Sequence, residues 1–361
     1  MAVHVNLQGA SSADITVGVS PLAEMMACLH EIVEPEHHLQ ARPWIRHIRS
    51  TMAPDLQSGV RDYAPLWARR RCRLLMPLGL PLGQSLQEEL GRLRRLSTPR
   101  FVDIAAEAVH GVGDFEVSNL LPETERHHAF VAACERRSFH RGELARSLLE
   151  DPEAMRDGLV DLLSRCAADF FDAEWIRVQY RLEGECTQVR ERLRTLPLAD
   201  VLASLSTGAE VRNNPPSVTF DKLQSLTVDL RRRRCLLIPS THGRPHLIVK
   251  DIPGLPVVIH FPVENADQVE SITLAQARAR LTVLADPSRL ALCRHLVNEP
   301  ITTSELASRM GMSLPQVSRH LARLREAELL VSRREGRLIY HRLDVARFRH
   351  LGVDILQAIV R

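Results

Sequence analysis

The chain has 361 residues, enough at roughly 150 per domain for two domains. Hydrophobic residues make up 45% and charged residues 25%, ordinary globular values that exclude a disordered tail. Aromatics at 4% are too few for a reader of single-stranded nucleic acid, which stacks bases on rings. All but two of the 47 basic residues are arginine, the exceptions being Lys222 and Lys250. That skew reads as codon composition and by itself says nothing of DNA. No stretch reaches the ~18–20 apolar residues of a membrane helix, and the start, MAVHVNLQGASSADI, has no basic segment leading into an apolar core. Seven cysteines are scattered without a C-x-x-C pair, the pattern of reduced thiols. A cytoplasmic chain with no membrane partner is expected.

Short alternating runs, Val3-His4-Val5-Asn6-Leu7 and Ile15-Thr16-Val17, open the chain as strands. Residues 20–210 then read as mainly helical. Ser20 before Pro21 and Asp151 before Pro152 place an N-cap ahead of a proline in the first turn. Residues 118–122 and Asn213-Asn214-Pro215-Pro216 are breaks. Over 217–262 the character is β-rich: Ser217-Val218-Thr219-Phe220, Cys235-Leu236-Leu237-Ile238, His246-Leu247-Ile248-Val249 and the run 256–261, divided by turns. These predict a small antiparallel sheet, followed by a linker at 263–271. An N-terminal domain of unknown role therefore covers 1–265, and a second domain 272–361.

Charge divides the same way. From residue 272 onward there are 15 arginines against 8 acidic residues, a net of +7, which leaves −4 for the first 271 at an overall +3. A basic end joined to an acidic body points to nucleic acid. In that end, Leu274, Ala277, Leu281 and Leu284 follow helical spacing. Asp286-Pro287 opens a helix with Leu290, Cys293 and Leu296 or Val297 as its apolar face. Thr302-Thr303-Ser304-Glu305 is a capping box opening a helix at 305–310, ended by Gly311. Ser313-Leu314-Pro315-Gln316 is a second box. The helix behind it, 313–326, has Leu314, Val317, Leu321 and Leu324 as its buried face and Gln316, Arg319, His320 and Arg323 opposite, with Ser318 at the edge. Two short helices about a glycine turn, the second polar and basic outside, form a helix-turn-helix. Strands flank Arg333-Arg334-Glu335-Gly336-Arg337 within 329–343 as a hairpin with an arginine-rich tip. A last helix over 345–360 carries Phe348, Leu351, Ile355 and Ile359.

Residues 274–343 resemble the ArsR-type (arsenic-repressor-like) winged helix-turn-helix regulators. The matching motifs are Leu284-Ala285-Asp286-Pro287-Ser288-Arg289-Leu290, the capped stretch Thr303-Ser304-Glu305-Leu306-Ala307, the recognition stretch 313–324 and the wing 333–337. The whole chain also resembles the actinobacterial members that carry a long N-terminal domain, through Ile15-Thr16-Val17-Gly18-Val19-Ser20-Pro21-Leu22 and Leu237-Ile238-Pro239-Ser240. The expected fold class is α+β, mainly helical with small β elements, ending in the winged domain. The resemblance implies a homodimer formed by the outer helices and a repressor of transcription reading a near-palindromic operator in double-stranded DNA.

An α-helix fits the major groove, where Gln316 can bond adenine and Arg319 guanine bidentately. Ser313 and Ser318 suit phosphate or base, and Pro315 marks the helix start. His320 and Arg323 lie on the same face, and Arg333, Arg334 and Arg337 suit phosphates. The bland reading, a solvated arginine face, gives way inside a capped helix-turn-helix with a basic hairpin. The thiolate metal site of the family requires a Cys-x-Cys pair on the helix at 305–310, which has no cysteine. Of its other site, Asp344, His350 and Asp354 are present without the His-x-x-Glu partner. His37-His38 and His127-His128 read as divergent surface pairs and Cys293 as core, so no metal and no cofactor is expected. Catalytic signatures, G-x-S-x-G, Walker, Rossmann and H-E-x-x-H, are missing, and the chain reads as no enzyme. The first 265 residues are left to sense an unknown small-molecule or protein effector. The alternatives are a protein-interaction module with DNA as its anchor, or a metal- or thiol-responsive sensor.

Overall fold

The computed structural model of the chain describes all residues except 1, 39, 112–116, 118–119, 122–123, 223–224, 264–271, 298–299, 336–337 and 361. It divides into two compact units, Met1–Asn265 and Ala266–Arg361. The predicted linker lies for the most part outside the described residues.

In the first unit, strands run β1 (Ala2–Asn6), β2 (Ile15–Val17), β3 (Glu210–Asn213), β4 (Pro216–Asp221), β5 (Leu226–Asp229), β6 (Cys235–Ser240), β7 (Ile248–Lys250) and β8 (Val257–Pro262). They form two four-stranded sheets, ordered β3-β4-β1-β5 and β2-β6-β8-β7. The α+β class stands, but the expected single antiparallel sheet is replaced by two mixed ones. β2, β6 and β8 are parallel, as are β1 and β5. The reason lies in burial. β6 is buried at every residue and β8 at all but its last, and a strand covered on both faces reads as an unbroken apolar run. Leu236, Ile238 and Val258 face a helical core, while Cys235, Leu237, Val257 and Ile259 face a second core shared with β1, β4 and helix Asp172–Thr195.

The helical core is centred on Pro21–Val33. Ser20 Oγ accepts from Ala23 N, and nearly every residue of this helix is buried, so it runs through the interior. Asp151 caps Pro152–Cys166 in the same way, through Ala154 N at 2.9 Å. Burying Pro21–Val33 all round also buries its polar residues Glu24, His30 and Glu31, each of which then needs a partner.

The second unit orders helices Leu274–Leu284, Pro287–Leu296, Thr303–Met310, Leu314–Glu326 and Val345–Val360 around a three-stranded sheet. Its strands are β9 (Ile301–Thr302), β10 (Leu330–Glu335) and β11 (Leu338–Leu343), in the order β10-β11-β9. Leu292, Cys293, Leu296, Leu306, Val317, Leu321 and Leu324 make its core. Cys293 is core as read, whereas Leu290 and Val297 are exposed and Leu292 takes the inward place. The last helix turns Leu351 and Ala358 inward and leaves Ile359 out.

Candidate nucleic-acid interface

Thr302 caps Thr303–Met310, its Oγ1 accepting from Glu305 N at 3.3 Å. The reciprocal half of the predicted box is not made, because the Glu305 carboxylate pairs with Arg309 one turn on. Gly311 takes φ 62°, ψ 30°, the left-handed conformation that a Cβ disfavours, and Met312 N bonds Ala307 O at 3.0 Å. Three residues, 311–313, thus separate the two helices. Leu314–Glu326 then starts from Ser313, whose N and Oγ both donate to Gln316 Oε1 at 2.9 Å.

Val317, Leu321 and Leu324 pack inward, which turns Ser313, Pro315, Gln316, Ser318, Arg319 and Arg323 to solvent along one side and the start of the helix. Arg319 Nε bonds its own Pro315 O at 3.4 Å, and its terminal nitrogens make no hydrogen bond among the described residues. Arg323 pairs with Glu326 at 3.0 Å, both side chains about two-thirds exposed, a pair worth at most about 1 kcal/mol and easily exchanged for a phosphate. Two placements differ from the sequence reading. Leu314, assigned to the buried face, is 53% exposed: at the first helical position its side chain precedes the turn that packs on the core. His320 is half-buried and lies near Asp286, the cap of helix Pro287–Leu296.

The hairpin also differs. β10 continues through Arg333 and Arg334, paired with Tyr340 and Ile339, so both arginines belong to the strand and not to its tip. Side chains alternate along a strand, and the two arginines therefore project from opposite faces. Arg337 lies outside the described residues. The hairpin is pinned by His341, which is buried and bonds Ser332 Oγ at 2.8 Å and Thr303 Oγ1 at 3.1 Å. Tyr340 is half-buried beside β9.

Sequence reasoning missed a buried anchor behind this surface. Arg280, 3% exposed, donates from Nε to Ala327 O (3.2 Å), from Nη1 to Asp354 (3.1 Å) and from Nη2 to Glu328 (3.0 Å). It ties the first and last helices of the unit to the residues where Leu314–Glu326 ends. Its signal was weak: one arginine inside an otherwise apolar helical face.

The first unit holds buried charge of another kind. His242 Nδ1 meets Glu31 Oε2 at 2.8 Å and Nε2 meets Glu174 Oε1 at 2.7 Å. Burial opposes its charge, but contact with Cys28, Glu174 and Glu31 overcomes that and raises the imidazole well above its usual value. The His37-His38 pair does not diverge at the surface: its rings lie 4.2 Å apart and His38 is buried. His37 ends the 3₁₀ turn Pro35–His37 and His38 follows it, a tight turn that brings the two rings together and not a regular helix or strand that would spread them.

Residues 1–267 match a family described as a family of unknown function (DUF5937), and residues 284–333 match a helix-turn-helix domain. Over 72 residues the chain is 39% identical to the HTH-type transcriptional regulator KmtR of Mycobacterium tuberculosis, covering 20% of this chain and 55% of that protein. It is 31% identical over 94 residues to the biofilm growth-associated repressor of Agrobacterium fabrum, covering 24% of this chain and 80% of that protein. Among solved structures, a homodimeric winged helix-turn-helix DNA-binding domain from Mycobacterium bovis is 29% identical and covers 25% of this chain and 85% of that one, at a TM-score of 0.21. The chain spans about half the length of the first curated relatives it matches.

Proposed function

Since the chain belongs to the family of unknown function DUF5937 through residues 1–267 and continues into an ArsR-type winged helix-turn-helix, we propose that it is a sequence-specific, DNA-binding repressor of transcription acting as a homodimer. The observation that carries this reading is the outer side of Leu314–Glu326, where Gln316, Arg319 and Arg323 are exposed while Val317, Leu321 and Leu324 hold the helix down. Arg319 reads a guanine edge. Gln316 reads adenine after giving up its bond to Ser313, and the exposed Leu314 meets a thymine methyl. Ser313, Ser318, Arg323 and one of Arg333 and Arg334 hold phosphates, with Arg337 in the same role beyond them. His320, turned toward Asp286, positions the helix from behind. Leu274, Leu281 and Ile359, each about half exposed on a single chain, supply the dimer contact. A twofold pair of helices then reads a near-palindromic site. The regulator works in the cytoplasm, and its first 265 residues sense the effector.

Fluorescence anisotropy on the DNA upstream of the chain's own coding sequence, against a scrambled duplex, tests this. Tight binding to the native duplex is expected. Gln316→Ala with Arg319→Ala should weaken it by about 2–6 kcal/mol per protomer, two bidentate pairs at ~1–3 kcal/mol each, and by about twice that in the dimer. A double mutant that binds as the parent does would refute the assigned face.

A further inference from the structure

His30, His37, His38 and His246 come from three places in the sequence and converge in the first unit. Each of the six ring pairs among them has its centroids between 4.2 and 5.5 Å apart. One nitrogen of each ring lies within 4.8 Å of the corresponding nitrogens of the others. His37 Nε2 stands 3.2 Å from His30 Nε2 and 3.1 Å from His246 Nε2. We propose that these four imidazoles form a binding site for a divalent transition-metal ion of the zinc class.

Three features point to a ligand at the centre. The first is spacing. Four nitrogens at about 2.0–2.1 Å from a tetrahedral zinc stand about 3.3–3.4 Å from one another, and the two measured separations are close to that edge. The remaining separations, at most 4.8 Å, require a side-chain adjustment of about 1 Å to close the set.

The second is orientation. His30 Nδ1 lies 3.0 Å from Trp67 O and 3.2 Å from Ala68 O. Carbonyls only accept, so the proton sits on Nδ1 and Nε2 presents its lone pair inward. On His38, one ring nitrogen bonds the Arg244 backbone and Nδ1 lies 3.7 Å from Glu31, while the buried Nε2 has no partner among the described residues. An outer bond to a carbonyl or carboxylate is what fixes the tautomer of metal-binding histidines.

The third is charge state. His30 and His38 are buried, and burial of an imidazole favours its neutral form. Neutral rings offer lone pairs to a cation. Three neighbouring cations act against a bound ion, Arg71 on the whole cluster, Arg69 on His37 and His242 on His38, and Glu34 and Glu31 offset Arg71. His37 and His246 are half-buried, which leaves the ion a way in.

The site shares no residue with the DNA-facing helix, so its test needs no DNA, and its failure would leave the regulator reading intact. The full chain, freed of metal by dialysis against a chelator, is titrated calorimetrically with zinc ion alone. One equivalent per chain is expected, and cobalt(II) in its place should give the strong visible bands of tetrahedral coordination. His38→Gln and His246→Gln should each weaken zinc binding by at least about 10-fold, the loss that even outer partners of such sites cause. His37→Gln, at a half-exposed position, does the same in a chain whose metal-free circular dichroism spectrum and melting match the parent. Less than half an equivalent of zinc, or affinity unmoved by His37→Gln, overturns the proposal. So does calorimetric binding of inorganic phosphate in place of zinc.

Discussion

At Glu89, burial pushes the carboxyl up to about 7, against the bonds it accepts from Leu22 N at 2.8 Å and Ser20 Oγ at 2.8 Å. The unfolded chain titrates this group near the ordinary glutamate value of 4.5. Between those two values the native state binds the extra proton, so the contribution of Glu89 to stability is full below about 4.5 and falls as pH rises through about 7. Glu89→Gln keeps an acceptor for both donors and removes the titration. Denaturant midpoints at about pH 5 and about pH 8 should therefore converge in the variant while the parent is weaker at the higher pH. An unchanged pH slope would sink the assignment. Single residues were legible in the sequence where their requirement is local. Ser20, Asp151 and Asp286 each cap the helix read for them, because an N-cap bonds an amide two or three residues away, and Ser313 starts its helix through the bonds it gives to Gln316 Oε1. The four histidines were not legible, since His246 reaches His37 across 209 residues of chain.

For elements, periodicity located the helices but not the sense of the strands. Cys235-Leu236-Leu237-Ile238 and Pro256-Val257-Val258-Ile259 are unbroken apolar runs, and their lack of alternation was the mark of parallel, doubly covered strands. The hairpin arginines were found, yet their register was not, and only β10 running on to Glu335 separates Arg333 from Arg334. The buried Arg280–Asp354 pair joins the outer helices, with side chains 4% and 6% exposed. Removing one partner strands a buried charge, which costs about 3–5 kcal/mol. Arg280→Ala should therefore loosen 274–360 in hydrogen exchange while leaving the first unit unchanged. Adding Asp354→Ala should cost less than the two single losses combined, because no charge is then stranded. Strict additivity would mean that the pair is not coupled.

Over the whole molecule, the net +7 of the last ninety residues against −4 before them puts the attraction for DNA in one unit. Binding should then weaken with salt at a slope of about −0.9 per phosphate neutralised. Two features give that slope structure. Because Arg333 and Arg334 alternate across β10, only one of Arg333→Ala and Arg334→Ala should lower it, by about 0.9 per protomer and about 1.8 in a dimer. Because Leu274, Leu281 and Ile359 are each about half exposed on the isolated chain, a buried carboxylate at Leu281→Asp should separate the protomers in sedimentation and halve the slope on the full operator. Both arginine variants lowering it equally would mean that the hairpin lies edge-on to the duplex with both faces wet by phosphate. A monomer retaining the full slope would instead show that one helix and one hairpin hold every phosphate, and the twofold site would lose its physical basis.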